Sequence, residues 1–479
     1  MKPKVALASI SLSYNYLLTK YYYKLPSLGI GYIAAVLERN GYKVCIIDRI
    51  ISEKEIAGLA NEIVAMRPYV VGFYCISETF KIVIQILKIV KEKSPSVITV
   101  IGGPHVYGLP HQGISYDWID YGLWGEAEES FLKLLESNFN PQEFVNIAGL
   151  IYKDKGQIKL NPMALIDNLD NLPLPARHLY PPMNRYRPSI LAYKRLPATG
   201  IITSRGCAYN CIFCHSGKGH FKLRFHSADY VLEEIKYLKK NFGINELVFF
   251  DDSFLINKER ALKICEGIIK EGIDISWSCN ARVNNLNKNL LKTLKKAGCW
   301  LIQIGVESGN QDILDTIKKG ITLEQVEKAC RLAYDVGLEV KTYFILGHPK
   351  ETLSTLNETI KFMNKLPTHY ASINFMTPLP GTELWDVAEK YGTIDKEKLE
   401  RINYLSDSPA FIPFGLTEEI LIDKFREAYL KFYLNPKTIL RYIKTLRGFE
   451  DFKRIFLAAG ILLRLIYVKL RKRKVENSV

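Results

Sequence analysis

The first 140 residues alternate short apolar runs with longer stretches in which apolar positions recur every three or four residues. The short runs have the length of buried strands, and the longer stretches have the period of amphipathic helices. This alternation predicts an α/β fold with a doubly wound parallel sheet, which binds ligands at the carboxyl ends of its strands. The predicted strands are Val5–Ile10, Val44–Asp48, Val70–Tyr74, Val97–Gly102 and Ile119–Tyr121, and the predicted helices are Ile30–Arg39, Glu53–Met66, Phe80–Lys93 and Glu126–Glu136.

A second series of strands and helices follows a Pro- and Tyr-rich connector, and a helical pattern begins near residue 386. Six strand–helix units predict a partial barrel whose functional groups gather at the carboxyl ends of the strands. We expect four parts: a doubly wound domain (1–140), a connector (141–195), a partial barrel (196–385) and a helical region with a basic tail (386–479). The predicted barrel strands are Thr199–Thr203, Glu246–Phe250, Ile275–Cys279, Trp300–Gly305, Val340–Leu346 and Ser372–Met376, with helices such as Ala228–Lys240 and Lys258–Glu271.

Composition narrows the class of protein. A chain of 479 residues with 48% hydrophobic residues forms folded domains, and nine cysteines in such a length do not make a disulfide framework. We therefore expect a reducing, cytoplasmic location. The sequence contains no run of 18 apolar residues, so it does not predict a membrane-spanning helix. The net charge is +15, and residues 436–479 carry 12 Lys and Arg against 3 acidic residues, so the excess is concentrated at the end of the chain.

Three cysteines crowd one short loop directly after a predicted strand. They are Cys207, Cys211 and Cys214, spaced C-x3-C-x-aromatic-C. Three thiolates on one loop suit three irons of a [4Fe–4S] cluster and leave the fourth iron open to another ligand. The alternative is a zinc site, because His215 and His220 follow closely and Cys3His is a legitimate zinc ligand set.

This loop resembles the signature of the radical S-adenosylmethionine (SAM) enzymes. The resemblance implies that the open iron binds the amino and carboxylate groups of SAM, and that an electron passed through the cluster yields a 5′-deoxyadenosyl radical. It also implies a flavodoxin- or ferredoxin-type electron donor. Polar residues follow the other predicted barrel strands and face the same rim: Asp251-Asp252, Asn280 with Arg282, Glu307-Ser308-Gly309 and Gly347-His348-Pro349.

Those runs resemble the cobalamin-dependent branch of the family, as does the run Pro378–Thr382. By this resemblance Glu307 holds the SAM ribose and Asp252 supports the methionyl end, while Arg282 meets the SAM carboxylate. Lys350 departs from the family pattern, which usually has Gly after the Pro of that loop.

The N-terminal domain is similar to the Rossmann-like cobalamin-binding domain of those enzymes, notably in Leu25–Gly29 and in Gly102-Gly103-Pro104-His105. The resemblance implies that Ser77, Gly102 and Gly103 contact cobalamin. No D-x-H-x-x-G motif is present, so it implies a base-off corrin without a histidine on its lower face, and His105 is expected to be a loop residue. The alternative is a degenerate domain that binds nothing.

The segment Phe449–Lys474 combines apolar residues with a terminal basic cluster. Its apolar stretch of about 14 residues suits a helix lying at a membrane surface. The hypothesis is a cobalamin-dependent radical SAM enzyme that methylates a carbon or forms a C–C bond or ring, acting on a membrane lipid from the inner face of the membrane. The alternatives are modification of tRNA, a peptide or another small molecule, and a zinc-containing nucleic-acid-binding protein. No RNA-binding module supports nucleic-acid contact.

Overall fold

The computed structural model describes residues 2–12, 24–51, 53–188, 192–218, 221–400 and 408–446. His220 and the segment Phe449–Lys474 lie outside the described residues. Within the described ranges, no helix is both long enough and apolar enough to cross a membrane.

The N-terminal sheet has seven strands in the order β2-β1-β3-β4-β5-β6-β7, and the first five run parallel. This confirms the predicted doubly wound sheet. Its strands are β1 Lys4–Leu12, β2 Lys43–Ile51, β3 Val70–Tyr74, β4 Ile98–Gly102, β5 Tyr121–Leu123, β6 Leu150–Asp154 and β7 Gln157–Leu160; its helices are α1 Leu28–Arg39, α2 Ile56–Ala65, α3 Ser77–Lys93, α4 Pro104–Gly108, α5 Pro110–Gly113 and α6 Glu128–Glu136.

Alternate residues of the central strand β1 point to opposite faces of the sheet. Val5 and Leu7 pack in the apolar core with residues of α1 and α6. Ala6 and Ala8 pack in a second core with residues of α2 and α3. Because both faces are covered by helices, the only open ligand sites of such a sheet are at its strand ends.

The second sheet is a six-stranded, all-parallel partial barrel in the order β15-β14-β13-β12-β11-β8. Six parallel strands with outer helices confirm the predicted barrel. The remaining strands are β8 Ala198–Ile201, β9 Ser204–Arg205, β10 Arg224–Phe225, β11 Glu246–Phe249, β12 Ser276–Ala281, β13 Cys299–Glu307, β14 Glu339–Leu346, β15 Tyr370–Phe375, β16 Gly392–Ile394 and β17 Phe411–Pro413. The remaining helices are α7 Ala228–Phe242, α8 Lys258–Lys270, α9 Lys288–Lys296, α10 Gln311–Thr316, α11 Leu323–Val336, α12 Leu353–Lys365, α13 Glu383–Val387, α14 Lys396–Glu400, α15 Glu418–Tyr433 and α16 Pro436–Ile443.

Local signals in the sequence fix the ends of the outer helices. Helix α11 begins after Thr322, whose hydroxyl accepts the backbone N–H of Gln325 in a capping box, and it ends at Gly337 with φ +79°. Such caps satisfy backbone groups that the helix itself leaves unpaired.

The open edge of the barrel is covered by α15. The Tyr429 hydroxyl bonds the backbone of Ile373, and the Tyr433 hydroxyl bonds that of Ala371, both on the edge strand β15. An uncovered strand edge exposes unpaired backbone groups. The two tyrosines therefore satisfy part of the edge that an incomplete barrel leaves open.

Two features of the first sheet differ from the prediction. The strand predicted at Ile119–Tyr121 lies at Tyr121–Leu123, because Asp120 instead uses its carboxylate and backbone to bond Thr99. The hairpin β6–β7 was not predicted. Its turn, at Lys155 and Gly156, has positive φ at both residues, which is the geometry of a type I′ turn, and Lys-Gly is a weaker signal for it than Asn-Gly.

Candidate functional site between the sheet and the barrel

A cavity of about 360 Å³ lies between the carboxyl ends of the N-terminal strands and the mouth of the barrel. One wall comes from the turns that follow β4 and β5, and the facing wall comes from Ser204–Gly206, directly before Cys207, and from the residues that follow β11. The three cysteines are not among the described lining residues. The residues that line it from the two sides include Tyr74, Gly102, Gly103, Gly125, Glu126 and Glu128, and Ser204, Arg205, Gly206, Phe250 and Asp252.

The turn after β4 requires glycine. Gly103 has φ +104°, and a Cβ on it would lie 2.7 Å from the carbonyl oxygen of Cys75. A side chain there would meet both a strained backbone conformation and rigid backbone atoms. Glycine at this position therefore lets the turn pack tightly against Cys75, directly after β3, which holds this part of the cavity wall in place.

Ser77 begins α3, and the described lining of the cavity does not include it. Its hydroxyl lies 3.2 Å from Nδ1 of His105. The His105 ring stacks on Phe80 with centroids 3.9 Å apart, and burial lowers the pKa of His105 to about 4. His105 is thus a neutral ring that contacts Ser77; it lies in the short helix α4 and not in a loop, so the expectation of a loop residue is wrong.

The three cysteines are all unbridged, and Cys211 is buried. Burial raises the pKa of the Cys207 and Cys214 thiols, so their thiolates need a positive charge to form, which a metal centre provides. Within the described residues, no three His, Cys, Asp or Glu side chains converge on one point as they would around a single ion. Ligands to a cluster bind different irons and need not converge. The donor set of three thiols on one loop therefore fits an iron–sulfur cluster.

Arg282 links the cysteine loop to the end of β12. Its Nη1 lies 3.8 Å from Cys211 Sγ, and its guanidinium lies 3.6 Å from the centre of the Tyr209 ring. Its Nε is buried without a hydrogen-bond partner among the described residues. A buried cation beside the cysteines, with one donor unused, is suited to hold an anionic group there.

The two neighbouring aspartates have different surroundings. Asp251 is fully buried and accepts hydrogen bonds from Thr203 N (3.3 Å), Thr203 Oγ1 (2.9 Å) and the Ser204 hydroxyl, so it fixes the end of β8. Asp252 lines the cavity and accepts a bond from Ser216 Oγ at 2.8 Å. Burial raises the pKa of Asp252, while the Ser216 bond opposes the rise. Of the pair, only Asp252 is placed to meet a ligand.

Glu307 ends β13 in a conformation that is uncommon for a residue with a side chain, with φ +74°. Its carboxylate accepts a bond from Lys319 Nζ at 2.6 Å, and its carbonyl oxygen lies 3.3 Å from His348 Nε2. Lys319 was not singled out from the sequence. Its only signal was the run Lys318-Lys319-Gly320 after a short helix, which looks like an ordinary solvated turn.

A buried group of four charges joins the two walls of the cavity, and we call Arg205, Arg224, Glu126 and Glu128 the interface charge network. Arg205, two residues before Cys207, lies 2.6 Å from Glu128 and 3.4 Å from Glu126. Arg224 makes a bidentate pair with Glu126 at 2.8 and 2.7 Å. Burial acts to raise the pKa of Glu126, but the bond from Arg224 and the charge of Arg205 outweigh it and hold this pKa below its usual value. The network balances two positive charges with two negative ones and ties the cysteine loop to the first domain.

Comparison with known proteins identifies the family to which this chain belongs. Residues 201–363 match the radical SAM superfamily, and residues 14–135 match the B12 binding domain. The chain is 35% identical to the uncharacterized methyltransferase PH0819 of Pyrococcus horikoshii, over 88% of this chain and 91% of that protein. It is 27% identical to an anaerobic magnesium-protoporphyrin IX monomethyl ester cyclase of Rubrivivax gelatinosus, over 87% of this chain and 75% of that protein.

The fold comparison agrees with the sequence comparison. The cobalamin-dependent SAM radical enzyme OxsB, solved with aqua-cobalamin and SAM bound, superposes with a TM-score of 0.74 at 18% identity, over 97% of this chain and 72% of that one. The chain belongs to the cobalamin-binding radical SAM enzymes. Its cofactors are accordingly a [4Fe–4S] cluster, SAM and cobalamin. The alternative of a zinc-containing nucleic-acid-binding protein is wrong.

Proposed function

We propose that this enzyme transfers a methyl group to an unactivated carbon inside the cavity between its two domains. The observation that carries the proposal is that one cavity is lined both by the glycine turn of the B12-binding sheet and by Gly206 and Asp252 of the barrel mouth. When bound, SAM and the cluster supply hydrogen-atom abstraction from carbon, and cobalamin supplies the methyl group. The relative with 35% identity is named as a methyltransferase, which favours methyl transfer over ring closure.

The chain's own residues divide the work by position. Cys207, Cys211 and Cys214 hold the cluster. Arg282 beside Cys211 neutralises the SAM carboxylate, since its free Nε is already buried.

At the other barrel strand ends, Asp252 and Glu307 orient the ammonium and ribose of SAM. Lys319 keeps the Glu307 carboxylate in one place before SAM arrives, so less ordering is needed on binding.

On the facing wall, Gly102 and Gly103 would contact the corrin. Ser77, held by His105 outside the described lining of the cavity, would contact a part of cobalamin that extends beyond this wall. The interface charge network keeps this wall against the cysteine loop. Two facing walls also exclude water from a site in which a reactive carbon must not be quenched.

For the substrate we propose a membrane lipid, reached from the cytoplasmic face. The support is the amphipathic, basic sequence of Phe449–Lys474, which suits a lipid surface. A 27% identical relative, of Methylococcus capsulatus, is named as a hopanoid C-3 methylase. A flavodoxin- or ferredoxin-type protein would deliver the electron. Modification of tRNA, a peptide or another small molecule is the competing assignment.

Protein purified without oxygen and loaded with iron, sulfide and hydroxocobalamin tests the reaction. After addition of dithionite and SAM, 5′-deoxyadenosine and S-adenosylhomocysteine are measured by mass spectrometry. We expect a corrin spectrum and both products, and the loss of both products in Cys211→Ala. Formation of 5′-deoxyadenosine alone would favour ring closure or carbon–carbon coupling. The absence of both products would refute the assignment.

Flotation with anionic liposomes tests the lipid. We expect the full chain to float and a chain ending before Phe449 to remain in the dense fraction. Equal flotation of both chains would remove the reason to prefer a lipid over tRNA or a peptide.

A further inference from the structure

The inner face of the barrel holds one lysine that none of the assigned roles uses. Lys341 lies on β14, where residues that point outward alternate with residues that point inward. The outward residues Val340, Thr342 and Phe344 are fully buried against the outer helices, whereas Lys341 and Tyr343 on the inner face remain partly exposed. The barrel interior therefore retains open space beside these side chains.

Lys341 has no carboxylate partner among the described residues, whereas several other cations inside the molecule have one. Lys24 pairs with Asp48 at 3.3 Å, Arg177 with Glu234 at 2.8 Å, and Lys319 with Glu307 at 2.6 Å. Among the described residues, no carboxylate lies within ion-pairing distance of Lys341 Nζ. Its Nζ lies 4.7 Å from the centre of the Tyr343 ring.

The groups that face Lys341 from the neighbouring strands are polar but uncharged or already occupied. Its register partner on β13 is Gln303, which accepts a 2.6 Å bond from the Tyr343 hydroxyl, and its register partner on β15 is Tyr370. Glu339, two residues earlier on β14, is taken by Lys194 and by Tyr370. Burial alone acts on the lysine and lowers the pKa of Lys341 to about 8, so it is still mainly protonated at neutral pH.

A partly buried ammonium without a counter-ion is destabilised by the loss of water around it, and an anion that enters the barrel would neutralise it. On β12, the hydroxyl of Ser278 is also buried without a partner among the described residues, and it lies on the same inner face of the sheet as Asn280, which pairs in register with Gln303. We propose that Lys341 anchors an anionic group of the substrate, a carboxylate or a phosphate, inside the barrel. This rests on the proposed function and narrows its substrate to a molecule that joins an anionic end to the carbon that is methylated.

The test measures the reactivity of Lys341 in the cofactor-loaded protein. Acetylation by acetic anhydride is followed peptide by peptide by mass spectrometry between pH 6 and 10, with decanoate, decyl phosphate, acetate, inorganic phosphate or decanol as the added probe. Only the neutral amine is acetylated. An anion placed on Lys341 raises the pKa of this lysine by about one unit or more and so slows its acetylation about tenfold below that pKa.

We expect decanoate or decyl phosphate to slow acetylation of Lys341 about tenfold, and decanol not to slow it. The exposed Lys328 on α11 is the internal control and should be unaffected by any probe. If acetate or inorganic phosphate protects Lys341 as strongly as the long-chain anions do, the ligand is a free small anion. If only the long-chain anions protect it, the ligand is an amphiphile. As a second measurement, Lys341→Met should bind decanoate no more tightly than decanol.

Three outcomes would overturn the proposal: equal acetylation with and without every anion, equal protection by decanol, or no acetylation of Lys341 under any condition, since an anion could not reach such a site either. None of them depends on turnover. The failure of the proposed function would appear separately, as a protein that binds no corrin and forms no product from SAM.

Discussion

Replacing Arg205 by Met removes the cation that joins the cysteine loop to the B12-binding domain. Its guanidinium lies 2.6 Å from Glu128 and 3.4 Å from Glu126, and both carboxylates are buried. Methionine fills similar space but leaves Glu128 without its ion-pair partner. Arg224 continues to neutralise Glu126, so the unpaired charge is confined to Glu128.

Removing one partner of a buried, hydrogen-bonded ion pair costs about 3–5 kcal/mol. The matched control is Arg195→Met. Arg195 likewise makes two close contacts with carboxylate oxygens, both on Asp274, at 2.6 and 2.7 Å, but that pair is exposed to solvent. An exposed pair is worth only about 0.2–1 kcal/mol. The two variants therefore remove similar contacts, but the expected loss of stability is much larger for Arg205→Met than for Arg195→Met.

The assay is native-state hydrogen exchange of the intact protein. If the two walls separate more easily, the amides of β9 and those of α6 from Phe131 onward, which are the hydrogen-bonded ones, exchange faster. A loss of about 3 kcal/mol predicts roughly hundredfold faster exchange in Arg205→Met, and only a few-fold change at most in Arg195→Met. The double variant Arg205→Met with Glu128→Gln should recover much of the loss, because the buried charge is gone. Similar exchange in the two single variants would refute the reasoning.

Other predictions concern single sites. Gly103→Ala should abolish corrin binding without loss of iron, because φ is +104° there. The control Gly58→Ala, on the helix α2, should leave both the corrin content and the iron content unchanged. Full corrin loading of Gly103→Ala would contradict this prediction. Burial raises the pKa of Glu351 from 4.5 to about 8, so the folded protein binds an extra proton between these values and loses stability as the pH rises through them. The unfolding free energy of the wild type minus that of Glu351→Gln, from urea titrations, should fall between pH 5 and 8, and a constant difference would be the contrary result. Tyr433→Phe should lower the free energy of unfolding by about 1 kcal/mol in the same titration, because both backbone groups of Ala371 lose their hydrogen bond. An unchanged urea midpoint would show that these bonds do not stabilise the edge strand.

Much of the fold was predictable because several of its strands bury at least one face completely. The strand predicted at Val70–Tyr74 has those bounds in the structure, and the barrel strand predicted at Val340–Leu346 lacks only its first residue, Glu339. Val70–Tyr74 is a continuous run that suits a sheet covered on both faces, whereas Val340–Leu346 is fully buried on its outer face only. The hairpin β6–β7 was missed because its strands are only five and four residues long, and only the second strand, Gln157–Leu160, alternates polar and apolar residues.

The site was predictable to the extent that its chemistry is local in the sequence. The three cysteines lie within eight residues, so their spacing carries the prediction. Which of Asp251 and Asp252 faces the cavity depends on the hydrogen bonds at the end of β8, and the pattern of the strand alone does not distinguish the two. The interface charge network was beyond prediction, because Arg205 and Glu128 are 77 residues apart and meet only when the two domains pack together.

The central claim is that one cavity brings cobalamin to the iron–sulfur cluster. Electron paramagnetic resonance of the reduced, cofactor-loaded protein tests it without a substrate, by comparing the cobalt(II) corrin signal of the wild type with that of Cys211→Ala. We predict that the wild-type corrin signal is broadened and relaxes faster through coupling to the reduced cluster, and that it becomes that of an isolated corrin in Cys211→Ala. A wild-type signal identical to that of the variant, with both cofactors bound, would place the two cofactors in separate sites and contradict the account.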